Sequence, residues 1–378
     1  MNRREIVLAP IVHVLGARPN FVKAAPVIDA LRALGAEQAV VHTGQHYDAR
    51  MSEVFFDELG LPEPDVNLGV GSGGHAEQTA ALLVGLEKEF TGRSPALVIV
   101  YGDVNSTIAA ALVAAKLQIP VAHVEAGLRS FDMSMPEEVN RRLTDQLSAL
   151  CLVTSPEGVG HLAAEGVPVA RAHFVGNPMI DTLLANLGKF DTDRVREAHA
   201  LPGRYVLATM HRPANVDDPE TAAALVRHLH GVADLADLVI PVHPRGRANL
   251  LAAGLDEHDG VHVLEPLGYI DFIAAVRGAA AVVTDSGGLQ EETTILGVPC
   301  LTVRPNTERP ITVTHGTNRL VAFEELVPAV RKSLEGEPGS ANGSAPGPGR
   351  AAADRRPPLW DGHAGPRIAE VIMRYLSE

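Results

Sequence analysis

VIVYGDVNSTIAAALVAAKLQIPVAHVEAGLRS, residues 98–130, carries the decisive pattern. An apolar run ends in Gly-Asp, a helix-forming stretch follows, and a second apolar run ends in Glu-Ala-Gly. Neither run alternates polar with apolar residues, so each reads as a strand covered on both faces. A helix between two such strands is a right-handed crossover in a parallel sheet. At the end of each strand stands one acid, Asp103 and then Glu125.

The same texture extends in both directions. IVHVLG (11–16), QAVVHTG (38–44), ALCLVTS (149–155) and AHFVGN (172–177) read as further strands. NFVKAAPVIDALRALG (20–35) and MSEVFFDELG (51–60) read as helices between them. A second series follows, with strands at YVLATMH (205–211), LVIPVHP (238–244), VHVLEPL (261–267), AAVVTDS (280–286) and PCLTVRP (299–305). Helices at 219–233, 269–279 and 289–297 separate them. Two series imply two doubly wound α/β domains, which suits a chain of 378 residues. The expected division is 1–178, 179–358 and a last amphipathic helix, 359–378, returning to the first domain. A hinge is expected near 178–200. GEPGSANGSAPGPGRAAADRRPP (336–358) reads as a flexible insertion without chemistry.

A formal net charge of −14 argues against nucleic acid or an anionic membrane as partner. Cys151 and Cys300 sit in apolar runs and are expected buried and reduced. No run is long enough to cross a membrane, and MNRREIVLAPIVHVLG reads as the first strand rather than a leader. A cytoplasmic location is the expectation.

Ligands of open parallel sheets bind outside the carboxyl ends of the strands. Here those ends read GARPNFVK (16–23), TGQHYD (43–48), GDVNST (102–107), VEAGLR (124–129), MHRPAN (210–215), VHPRGR (242–247), EPLGY (265–269) and DSGGLQEE (285–292). One polar strand end is ordinary turn chemistry; eight that mix His, Arg and carboxylates point to a cleft. In DSGGLQEE a strand runs into Ser286, Gly287 and Gly288 at a helix start, where free N–H groups and the helix dipole favour an anion. A carboxylate one turn on suits a ribose diol, so a nucleoside diphosphate is expected. GVGSGG (69–74) mimics a dinucleotide fingerprint, but it is not the first strand–helix turn, and no NAD is expected. The histidines at 42, 46, 75, 123, 211 and 243 are scattered, and no metal is expected.

Taken in order, GARPNFVKAAP, TGQHYD, YGDVNST, HVEAGLRS, MPEEVNRRLTD, VGNPMIDTL, MHRPANVDD, PVHP, EPLGYIDF, TDSGGLQEE, ERP and PPLWDG resemble the non-hydrolysing UDP-N-acetylglucosamine 2-epimerases. The resemblance implies the GT-B fold, two Rossmann-like domains with the ligand cleft between them. It implies interconversion of UDP-GlcNAc and UDP-ManNAc without cofactor, by loss of UDP to 2-acetamidoglucal and its re-addition. It implies a homodimer and a place in cell-surface polysaccharide biosynthesis. Asp103, Glu125 and Glu137 align with the family's catalytic carboxylates and His211 with its catalytic histidine. Arg18, Lys23, His243, Ser286, Gly287, Gly288, Glu292 and Arg309 align with its UDP-binding residues, with Arg129 and Arg212 as secondary candidates. The chain departs from the family at Ala17, usually Thr, at Asn20, often Glu, and at Ala214, where HRxEN is common. The 43–51 and 69–79 stretches look like the archaeal-type branch, so weak allosteric dependence on substrate is expected. The alternatives are a 2-epimerase of a modified UDP-HexNAc such as a uronate, a GT-B glycosyltransferase, and an inactive UDP-sugar-binding regulator.

Overall fold

The computed structural model describes residues 9–44, 58–335 and 356–378. The TGQHYD loop beyond Gly44, most of the 51–60 helix and most of the Gly/Pro-rich insertion lie outside them.

The chain divides into two units, Met1–Ala185 with Pro358–Glu378, and Asn186–Pro357. Among the described residues the first unit has seven parallel strands: β1 (Ile11–Leu15), β2 (Gln38–His42), β3 (Val66–Asn67), β4 (Leu97–Tyr101), β5 (Val121–Ala126), β6 (Leu150–Val153) and β7 (Ala172–Phe174). Their order is β3-β2-β1-β4-β5-β6-β7. β1, β4 and β5 are buried along their whole length, as their unbroken apolar runs require. The described residues of the second unit form six: β8 (Tyr205–Thr209), β9 (Asp237–Pro241), β10 (Val261–Leu264), β11 (Ala281–Thr284), β12 (Cys300–Thr302) and β13 (Asn318–Leu320). Their order is β10-β9-β8-β11-β12-β13. Both sheets are doubly wound, with the winding reversing between β1 and β4 and between β8 and β11. β3 and β13 are the described strands that the apolar pattern does not announce.

The division falls after the helix Pro178–Ala185, later than residue 178. That helix is tied to the first unit by Thr182, whose hydroxyl donates to the Val22 carbonyl at 2.6 Å. The last helix, Ala364–Ser377, also lies in the first unit. Gly365 sits so close to Pro26 that a Cβ would lie 2.5 Å from the Pro26 carbonyl oxygen. Its N–H donates to Asp181 Oδ2 at 2.7 Å. Trp360 is fully buried and its Nε1–H donates to the Thr154 carbonyl at 2.9 Å.

Cys151 and Cys300 are buried and form no disulfide. Burial pushes the Cys151 thiol up to about 12 and the Cys300 thiol to about 11, which disfavours the thiolate in both. Among the described residues no helix is long and apolar enough to cross a membrane.

Candidate functional site

In the first unit the exits of β1, β4 and β5 are joined by buried polar contacts. The helix Arg18–Ala33 begins at the β1 exit with Ala17 as its cap residue, which has no side chain to cap with. Asn20 supplies the missing acceptor. Its Oδ1 accepts from the Gly16 and Ala17 N–H groups at 2.9 and 3.0 Å, and its Nδ2 donates to the Tyr101 carbonyl at 2.9 Å. A glutamate there could not make that donation, so Asn20 ties the β1 exit to the β4 exit in a way its own amide requires. Arg18 is the first residue of this helix and is half-buried.

Gly102 follows β4 with φ 65°. A Cβ on it would lie 3.2 Å from Glu125 Oε2 and 3.4 Å from Lys23 Nζ, so a side chain there would crowd that pair on a backbone that favours glycine. Glu125 itself has φ 78°, beside a register shift between Val124 and Ala126. A non-glycine residue held there costs about 1–3 kcal/mol, and such strain gathers at functional positions. Its carboxylate is buried and donated to by the Lys23 ammonium, which is buried with it. Lys23, expected among the UDP ligands, is therefore the counter-ion of Glu125.

Asp103 is more open, with 27% of its side chain exposed. It pairs with the Arg141 guanidinium, and its carbonyl accepts from Asn140 Nδ2 at 2.9 Å. Arg141 and Asn140 lie on the helix Pro136–Leu147, which starts with Pro136, Glu137 and Glu138. The two glutamates differ sharply. Glu138 is fully buried and accepts from Ser130 N–H at 2.9 Å, Ser130 Oγ at 3.0 Å and Arg141 Nη1 at 2.5 Å. Burial pushes its carboxyl up, but the Ser130 N–H and Arg141 outweigh burial and hold it below the usual range. Glu137 is half-buried and makes no side-chain hydrogen bond or ion pair among the described residues.

Arg129 is placed differently from the expectation of a substrate ligand. It is 1% exposed. It donates from Nε and Nη2 to Glu165 at 2.9 and 2.7 Å, and from Nη1 to the Leu128 carbonyl at 2.6 Å. Its Nη2 also pairs with Asp145 Oδ2 at 2.7 Å. The guanidinium is engaged by the local acids Glu165 and Asp145.

In the second unit the exits of β8 and β11 are joined by Asp285, which is fully buried. It accepts from the His211 N–H at 3.1 Å, the Arg212 N–H at 2.9 Å and Asn215 Nδ2 at 3.0 Å. His211 Nδ1 lies 2.9 Å from its Oδ1. Burial raises the Asp285 carboxyl, but His211, the Arg212 N–H and Asn215 together hold it below the usual range. Asp285 thus engages the Nδ1 edge of the His211 ring, and Nε2 lies on the opposite edge. Arg212 Nε donates to the Asp285 carbonyl at 3.0 Å, and Ala214 is exposed. The His243 ring is 5.7 Å from the His211 ring. Its Nδ1 accepts from the Arg245 N–H at 3.2 Å, capping the helix Pro244–Ala252.

Ser286, Gly287 and Gly288 open the helix Gly287–Leu296 and are half-buried. The space a Gly287 Cβ would take is filled by the Arg309 guanidinium and the Glu308 carboxylate. Arg309 pairs with Glu308, and its Nε lies 3.1 Å from Glu291 Oε1. The negative charge of Glu291 is therefore faced by Arg309, which Glu308 shares. Glu292 is buried beside Tyr269, whose hydroxyl is raised well above its ordinary range by burial and then by that carboxylate. No group of three or more His, Cys, Asp or Glu among the described residues is placed to hold a metal.

Arg141, Asp285 and Glu308 are polar residues that motif reading does not single out. All three sit inside the quoted motifs, and only their spatial partners show what they do.

The family model for UDP-N-acetylglucosamine 2-epimerase matches residues 29–373. The UDP-N-acetylglucosamine 2-epimerase of Methanocaldococcus jannaschii is 38% identical over 371 residues, 95% of this chain and 97% of that protein. The UDP-2,3-diacetamido-2,3-dideoxy-D-glucuronate 2-epimerase of Pseudomonas aeruginosa is 40% identical over 372 residues, 96% of this chain and 99% of that protein. The crystal structure of the M. jannaschii enzyme with UDP-GlcNAc and UDP is similar with a TM-score of 0.87 and 37% identity, covering 97% of this chain and 99% of that one. The fold is thus of the GT-B type, built from two doubly wound α/β units. With the strand exits carrying the same ordered motifs, the chain is a member of the UDP-N-acetylglucosamine 2-epimerase family, an epimerase family acting on UDP-sugars.

Proposed function

We propose that this chain interconverts UDP-GlcNAc and UDP-ManNAc without hydrolysing the nucleotide sugar. The observation that carries the reading is Glu125, buried, strained and held against Lys23 at the exit of a central strand.

The chemistry asks for such groups. C2–H is weakly acidic with no ketone beside it, so breaking C1–O develops oxocarbenium character that carboxylates stabilise. The C2–H electron pair becomes the C1=C2 bond of 2-acetamidoglucal, and the C1–O pair leaves with UDP. UDP re-adds as C2 takes a proton on the opposite face. Two faces need two proton-exchanging groups. We assign Asp103, Glu125 and Glu137 to this carboxylate set and His211 to the leaving diphosphate. Arg18, His243, Ser286, Gly287, Gly288 and Arg309 are assigned to the nucleotide's anionic part, and Glu292 to its ribose.

A second reading, a 2-epimerase of a UDP-linked N-acetylated uronate, is favoured by two observations. Ala214 leaves an uncharged residue where HRxEN is common, and the P. aeruginosa relative acts on such a sugar. Proton NMR of UDP-GlcNAc with the protein in D2O, with no added NAD, metal or acceptor, separates the two. UDP-ManNAc carrying deuterium at C2 supports the first. Unchanged UDP-GlcNAc with turnover of the diacetamido-uronate supports the second.

A further inference from the structure

We propose that His123 and Asp145 are positioning residues that set the mutual geometry of Asp103, Glu125 and Glu137. The proposal deepens the epimerase reading and rests on it. His123 lies on β5, two positions before Glu125, and is fully buried. One ring nitrogen, Nε2, is 2.8 Å from the Gly102 carbonyl, next to Asp103. The other, Nδ1, is 2.7 Å from Asp145 Oδ1. Asp145 Oδ2 in turn accepts from the Gly127 N–H at 3.1 Å, just past Glu125. Asp145 stands on the helix Pro136–Leu147, which also carries Glu137. One imidazole and one carboxylate therefore join the three segments that bear the three acids.

The hydrogen bonds define the charges. A carbonyl oxygen and an ionised carboxylate only accept, so both ring nitrogens of His123 donate. Asp145 is ionised: burial pushes its carboxyl up, but His123 and Arg129 outweigh burial and hold it below the usual range. Apolar side chains of similar volume can fill such a space at no loss of stability. A charged, two-armed bridge does what they cannot, which is to fix a turn, a strand end and a helix against one another. Alignment at two faces of one carbon is sensitive to such fixing, since a misplacement of about 1 Å costs about 100-fold in rate.

Two substitutions cut one arm each. In His123→Asn the amide nitrogen stands near the former Nδ1, keeping Asp145 and releasing Gly102. In His123→Gln it stands near the former Nε2, keeping Gly102 and releasing Asp145. For each variant, deuterium entry at C2 of recovered UDP-GlcNAc and formation of the epimer are measured in D2O, with UDP affinity by calorimetry. The expected result is turnover down about 10–100-fold, UDP affinity within about twofold, and an epimer-to-exchange ratio moved by about threefold or more. A purely structural role lowers the folded fraction, scales both rates together and leaves the ratio at its wild-type value; that result overturns the proposal. A wild-type protein that neither exchanges nor epimerises marks failure of the epimerase reading instead. Nitrogen-15 shifts of the wild-type imidazole give a test that needs neither variant. Both His123 nitrogens should be protonated, and one bare nitrogen overturns the two-armed bridge.

Discussion

The two units wind their sheets in the same order yet build opposite electrostatics at the strand exits. In the first unit the acids Asp103 and Glu125 stand at the exits, each backed by a cation, Arg141 or Lys23. In the second unit the exits present His211 and Arg212, and the acid behind them, Asp285, is fully buried. The winding provides places, and under the proposed function the acids of one unit would stabilise a cationic sugar centre while the other unit holds an anion.

The largest effect should come from removing an outward acid. Asp103→Asn keeps the shape but not the charge that meets Arg141, and turnover should fall about 10³-fold or more. UDP affinity and the thermal midpoint should stay near wild type, because Asp103 is not among the residues assigned to the nucleotide. Turnover within a factor of about 10 of wild type would remove Asp103 from the reaction and break the contrast between the units.

Removing the inward acid tests the other half. Asp285→Asn retains acceptors for the two backbone N–H groups but presents an N–H toward His211 Nδ1. His211 then loses its fixed tautomer, and turnover should fall about 100-fold with weaker UDP binding, which Asp103→Asn leaves intact. Calorimetry on the two variants side by side decides this. Equal UDP affinity in both would show that Asp285 serves folding alone.

These two acids also mark how far the sequence could be read. Both sheets are legible because their central strands are unbroken apolar runs between turn residues, and β3 and β13 escape because two or three residues at a sheet edge show no period. The acids at the mouths are legible as motifs. Their partners are not, since Lys23 and Glu125 are 102 residues apart, Asp103 and Arg141 38, and the His211 N–H and Asp285 74. The same blindness explains Arg129, which looks like a ligand beside VEAGL until Glu165 is seen across from it, 36 residues on. Spacing reports periodicity within an element, whereas counter-ions come from whichever element the fold brings near.

A smaller effect is expected at Gly102. Gly102→Ala places a methyl 3.2 Å from Glu125 Oε2 on a backbone at φ 65°. The Lys23–Glu125 pair must shift, and turnover should fall about 10-fold with a loss of about 1–2 kcal/mol in unfolding free energy. No residue of the second unit is touched, so unchanged UDP affinity is part of the expectation. A fully active, fully stable variant would show that the space around this pair is not tight.

The smallest effect concerns stability alone, at the contact that brings the chain's end back to the first unit. Asp181 accepts from the Gly365 N–H at 2.7 Å, and burial pushes its carboxyl up to about 6. A carboxyl raised on folding binds more protons folded than unfolded. Its contribution is therefore fully present below the unfolded value near 4 and is lost as pH rises toward about 6. Asp181→Asn keeps an oxygen for Gly365 without a charge to bury. The variant should be more stable than wild type at pH 7 by at most about 3 kcal/mol, with the gap closing as pH falls to about 4. Denaturant midpoints at pH 4, 5, 6 and 7 measure it. A gap that stays constant with pH would mean that Asp181 is as ionised in the folded chain as in the unfolded one. The Gly365 N–H and the helix start would then be enough to hold the charge in place, making this buried acid a match for Asp285 in the other unit rather than an exception to it.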